Sequence, residues 1–136
     1  MANLSITPTA VKPVLVWEQL TGPTDEAIDA GEMVRINTTT GKFTQANASS
    51  AAEGRAIGMA VTTATYAGQP ITVVKRGLVD IGNALTAESY DEELNLSDTD
   101  GKIDDGAGSP TADYAIGRVV PAWGATTADK LLMLEL

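Results

Sequence analysis

The chain has 136 residues, 43% hydrophobic and 20% charged, which suits one globular domain whose core needs neither disulfides nor metal. Eighteen acidic residues against nine basic ones leave a formal charge of −9, so the long-range field repels phosphate backbones and anionic lipid, and neither nucleic acid nor membrane is an expected partner. With no histidine and no cysteine, the commonest general base, thiolate nucleophiles and most zinc ligand sets are excluded, and no cofactor is expected.

Catalysis resting on carboxylates alone, as in glycoside hydrolysis, needs a cleft with sugar-stacking aromatics. Only 4% of the residues are aromatic, and Trp17 and Trp123 stand far apart in sequence, so the chain is read as a non-enzyme. The start of the chain lacks the basic and apolar regions of a signal peptide, and no apolar run approaches the roughly 20 residues of a membrane span. A soluble protein made in a cytoplasm is expected. Twenty Ala and 17 Thr supply small side chains that suit thin, closely stacked β-layers.

In chain order, residues 1–26 come first as an N-terminal arm and first strand. Pro8, Pro13 and Pro23 punctuate them, and only Val14, Leu15, Val16 and Trp17 read as a compact strand. Proline withholds the amide hydrogen of a central strand, so residues 1–13 are expected as an extended arm or edge segment that reaches a neighbour or lies along its own domain. Leu4 and Ile6 lie on one side of such a strand; with Val14, Val16 and Trp17 they form the expected protein-contact surface of the arm. Removing residues 1–12 is expected to spare the fold and weaken binding.

Residues 27–136 read as a β-domain with an internal duplication, about 29–75 and 89–136. Residues 32–43 align with 92–103 at an offset of sixty, and 56–61 with 115–120 at fifty-nine. Eight of these eighteen positions are identical, where about one or two are expected by chance. Residues 71–74 match 131–134, again at sixty. In each unit Val34 and Ile36, or Leu94 and Leu96, alternate with polar residues as in a half-buried strand. A hairpin follows, with Gly41-Lys42 or Gly101-Lys102 in the turn, where glycine supplies the positive φ before Phe43 or Ile103 starts the return. A second strand contains Gly58 or Gly117, marking a bulge or close backbone approach. The third is 71–75 or 131–136. Residues 77–82 read as a further strand and 84–92 as a short helix. The expected fold is all-β: a small antiparallel barrel or two-sheet sandwich built from two related units.

Three stretches suggest chemistry. The acids of 98–105, on either side of Gly101, superficially match a calcium loop, but the equivalent turn Thr38, Thr39, Thr40, Gly41, Lys42 has no acids and the twelve-residue spacing is missing, so a plain hairpin is expected. The glycine pairs Gly54/Gly58 and Gly77/Gly82 are not phosphate loops and read as strand punctuation. Trp17 and Trp123 suit interface anchors or core packing equally, and residues 61–66 suit an exposed β-edge.

The order of these elements resembles the cement, or head-decoration, proteins of tailed bacteriophages. The residues that carry the resemblance are Ala30-Gly31-Glu32-Met33-Val34, Thr40-Gly41-Lys42-Phe43-Thr44-Gln45-Ala46, Ala56-Ile57-Gly58-Met59-Ala60, Ala67-Gly68-Gln69-Pro70-Ile71-Thr72-Val73, and Ile116-Gly117-Arg118-Val119-Val120-Pro121 before Leu131-Leu132-Met133. It covers about residues 27–136. The resemblance implies a small β-domain, commonly a homotrimer, on the outer capsid surface of the virion, where it clamps neighbouring major capsid proteins. The competing reading is a carbohydrate- or cell-surface-binding β-module, which would cluster exposed aromatics on one face.

Overall fold

The computed structural model describes residues 3–105, 114–126 and 128–136. Among these residues nine strands make up one antiparallel sheet curled into a half-barrel, as the all-β reading expects. They are β1 Val11–Pro23, β2 Met33–Ile36, β3 Phe43–Gln45, β4 Gly58–Ala60, β5 Pro70–Ile81, β6 Glu93–Leu96, β7 Ile103–Asp104, β8 Ala115–Pro121 and β9 Lys130–Glu135. The order across the sheet is β3-β2-β4-β5-β9-β8-β6-β7, with β1 on the other edge of β5.

This order reads outward from β5 and β9 as the same motif twice. Ile36 pairs with Phe43 and Leu96 with Ile103; Val34 pairs with Gly58 and Leu94 with Gly117. Ala60 faces Val73 just as Val119 faces Leu132. The last pair moves the third-strand offset from sixty to fifty-nine, because pairing register and not side-chain likeness fixes the equivalence. The hairpins also match. Gly41 has φ 71° and Gly101 73°. The amide of Thr39 donates to Asn37 Oδ1, and that of Thr99 to Ser97 Oγ.

Gly58 and Gly117 answer to close approach. A Cβ on Gly117 would lie 2.0 Å from the Met133 carbonyl oxygen, and one on Gly58 2.5 Å from that of Val74. The two units differ in burial. Along the first, Met33, Met59 and Val74 enter the main core, while their neighbours Val34, Ala60 and Val73 join Ile28, Phe43, Ala64 and Ile71 in a second cluster on the opposite face. In the second unit Leu94, Leu96, Ile103, Ile116, Val119, Leu132 and Leu134 all serve the main core.

Two expectations are corrected, and one that left two placements open is narrowed to one of them. Residues 71–75 and 77–81 belong to one twelve-residue strand, β5, since Gly77 keeps its pairing with Val16 and Leu134, and Gly82 opens the turn that follows. The helix expected over 84–92 is a 3₁₀ turn, Gly82–Leu85, followed by turns closed by i→i+3 bonds from Thr86, Glu88 and Glu92. Asp91, at φ 64°, ends any helical continuation. The arm, finally, is not free of the domain. The Leu4 amide donates to the Ile103 carbonyl at 2.8 Å, Asn3 bridges to Asp104, and Leu4 (8% exposed) and Val11 belong to the main core, with Ile6 packed against it. Two apolar side chains near a free edge of their own sheet gain more by pairing there than by staying in water.

Replacing Gly117 by Ala is expected to push β8 from β9 and cost about 1–3 kcal/mol in urea unfolding. Leu4→Ala should cost about 2–3 kcal/mol, and truncation of residues 1–6 should lower the melting temperature; an unchanged transition in either variant would contradict the docking of this segment.

Candidate interaction surface

The surface of interest starts from irregularities in the β1–β5 ladder. Pro13 faces Val79 and Leu15 faces Leu78, so Val14 is an extra residue; Val16 faces Gly77 and Glu18 faces Arg76, so Trp17 is another. A bulge re-aims its extra side chain and breaks the alternation of faces. Gly77 permits the second bulge, because at φ 151° a Cβ there would lie 2.2 Å from the Leu15 carbonyl oxygen. Val14 and Trp17 are 54% and 57% exposed.

Both side chains border a groove of about 390 Å³. Leu78 from β5, Leu131 and Met133 from β9 and Val120 from β8 line it, with Pro121, Ala122, Trp123 and Ala125 at the exit of β8. Along the same strands Val79, Leu132, Leu134 and Val119 enter the core, so the groove lies on the opposite face of the sheet. The lining is apolar apart from the indole N–H groups of Trp17 and Trp123. Trp123, 86% exposed, stands at the loop end opposite β1, and the fold brings both tryptophans to one groove. Trp17 and Met133 also border an adjoining polar depression with Glu18, Arg76 and Glu135. There Glu18 reaches Arg76 at 3.6 Å; beyond the depression Glu18 also reaches Lys75 at 3.9 Å, and Arg118 reaches Glu135 at 3.7 Å and Asp91 at 2.8 Å.

The residues expected at an interface therefore divide. Val14 and Trp17 are exposed on the groove, Val16 is half-buried against the core, and Leu4 and Ile6 are committed to their own domain. Sequence reasoning missed Leu78, Val120, Leu131 and Met133, whose alternation with core residues was the available signal. The β1 edge carries Pro13, Pro23 and two bulges, features that blunt an edge against strand addition. The turn residues serve the fold. Gly41 and Lys42 sit on an exposed tip. Gly101, by contrast, is buried against Glu32, accepts from the Met33 amide and donates to the Ala46 carbonyl, with Lys102 Nζ 4.0 Å from Glu32. In the former calcium candidate, Asp100 Oδ1 accepts from Asn47 Nδ2 at 2.6 Å, and no group of three or more acidic residues among those described is placed to hold a metal ion.

Glu88, on the β5–β6 connection, has its carboxyl pushed up to about 7, first by desolvation, then by the hydrogen bond and charge of Glu92, with Asp105 adding and Lys130 opposing. A raised folded-state pKa favours the folded state in acid, and that contribution is lost as pH rises from about 4.5 through about 7. Glu88→Gln, uncharged throughout, should therefore lose less stability than the parent across that window, measured as melting temperature against pH. Comparison with protein-family models, with curated proteins and with solved structures finds no match for this chain.

Proposed function

We propose that the protein is a non-catalytic binding module of the capsid-cement kind, which docks on the outer surface of an assembled tailed-phage head and stabilises contacts between major capsid proteins. The observation that carries this reading is the groove that gathers Val14, Trp17 and Trp123 on one face. Tryptophan truncations are among the costliest at protein interfaces, and a groove of this size with exposed aromatics buries well against an apolar patch on another protein. The resemblance across residues 27–136 supplies the class of partner and the trimeric assembly. A formal charge of −9 on every copy argues against nucleic acid or anionic lipid as the occupant. A cement molecule acts by mass action, since it binds the assembled shell and not the dispersed subunits, and many copies multiply the effect.

Attachment on this reading runs through the sheet face, because the segment once expected as an arm is held by Ile103 and the β1 edge is blunted. The clustering of two tryptophans also favours a glycan-binding module. Against that, sugar hydroxyls need several hydrogen-bonding side chains, donors and acceptors, and the groove offers only the two indole N–H donors.

Trp17→Ala and Trp123→Ala should each weaken co-sedimentation with purified capsids by about 30-fold. Trp123→Ala should leave stability within about 0.5 kcal/mol of the parent, as expected of an exposed side chain. Capsid binding unchanged in both variants would refute the docking face, and groove-dependent retention on immobilised glycans without capsid binding would favour the alternative.

A further inference from the structure

Trp123 combines two properties that seldom occur together. It is 86% exposed, and its backbone sits at φ 48°, a region that aromatic residues disfavour. Nothing in its own burial offsets that conformation, so the loop around it must impose it. Gly124 and Asp129, in the same loop, also have positive φ, 80° and 57°. The loop closes on itself through the Ala122 amide, which donates to the Asp129 carbonyl at 3.1 Å, the Asp129 amide, which donates to Thr126 at 3.1 Å, and the Ala125 amide, which donates to Ala122 at 3.0 Å.

One side chain adds a tie next to Trp123 itself. Asp129 Oδ1 accepts from the Gly124 amide at 2.6 Å, and that amide belongs to the peptide plane immediately after Trp123. The carboxylate therefore holds the peptide plane that follows Trp123, and with it the backbone from which the indole projects. Its second oxygen, Oδ2, accepts from the Tyr90 hydroxyl at 3.0 Å, so the carboxylate is held from the far side by the β5–β6 connection. Tyr90 is itself steadied by Lys130, whose Nζ lies 5.1 Å from the ring centroid and donates to the Thr86 carbonyl at 3.1 Å. The Gly124 amide, and after it the Tyr90 hydroxyl, hold the Asp129 carboxyl below its ordinary range, while the bond to Asp129 raises the Tyr90 phenol; both directions fit a charged, doubly anchored carboxylate.

We propose that Asp129, anchored by Tyr90, is a positioning residue that presets Trp123 as a rigid anchor of the docking face. This rests on the reading of that face as a binding surface, and it adds that the anchor is ordered before the partner arrives. An anchor already in place loses little conformational freedom on binding, so its rigidity appears as affinity.

The test separates the clamp from the docking. With Trp17 replaced by Phe, Trp123 is the sole tryptophan, and time-resolved fluorescence anisotropy of the free protein reads its local motion. Asp129→Gly tolerates the positive φ but lacks the carboxylate, and Asp129→Asn keeps an acceptor for the Gly124 amide. The glycine variant should raise the amplitude of fast Trp123 motion about twofold or more, Tyr90→Phe should raise it less, and the asparagine variant should restore the parent value. If Trp123 moves alike in the glycine variant and the parent, the clamp is refuted. Should the glycine variant fail to fold, Tyr90→Phe carries the same test.

In the chain with both tryptophans, Asp129→Gly should weaken capsid co-sedimentation about tenfold and Asp129→Asn by less than about twofold. Greater Trp123 motion with undiminished capsid binding would refute the positioning role. A parent protein that shows the clamp but binds no capsid would instead overturn the docking reading and leave the clamp standing.

Discussion

Strand β5 has both edges filled, and the rest of the sheet depends on that saturation. β1 runs along one edge from Ile81 to Pro70. The opposite edge is shared, with β4 taking Val73 and Val74 and β9 taking residues 76–79. Each repeat is thereby attached to the same strand, and the half-barrel grows from that seam in both directions. Gly77 sits where β9 and the bulge of β1 converge, so a single side-chain-free position lets three backbones meet. The far ends of the two arms of the sheet are also joined, through hydrogen bonds from Met33 to Gly101, Gly101 to Ala46 and Ala48 to Ser97.

Much of this was legible where chemistry permits few alternatives. A glycine in a hairpin turn answers to φ, and a glycine in a strand answers to approach, so Gly41, Gly101, Gly58 and Gly117 could be placed from sequence with their structural reasons attached. Pro8 and Pro13 kept residues 1–13 out of any central strand, because a missing amide hydrogen is tolerated only at an edge, but the full span of β1, Val11–Pro23, was not apparent. The rest was hidden by degeneracy. Leu4 and Ile6 present the same alternation to their own β7 as to any foreign strand, and periodicity does not name the partner. The bulges at Val14 and Trp17 are invisible in β1 itself, since a register shift is a relation between two strands. Residues 84–92 had helical composition, but short polar side chains and the positive φ of Asp91 favoured successive turns.

The candidate docking face was the least legible feature for the same reason. Its floor comes from the alternate residues of strands whose other faces build the core, and its two aromatic walls come from a pair of bulges and from a loop. No contiguous motif contains it. The duplication explains the scaffold but not the face: Trp123 has no tryptophan counterpart in the first unit, and Trp17 lies outside both units. Binding features of this kind lie in departures from internal symmetry, where the strain at Trp123 and the displaced register of β1 are concentrated.

The docking of residues 3 and 4 on the β6–β7 hairpin also constrains the order in which the fold can close. Asn3 bonds to Thr99, 96 positions away, and β1 finds its partner only when β5 exists. During translation the leading residues emerge with two cognate strands still unmade, and the first repeat has no β9 to cover the downstream half of β5. Closure must wait until β9 has been made, so the sheet completes late relative to its own first strand, in the slow regime of sheets dominated by distant pairings.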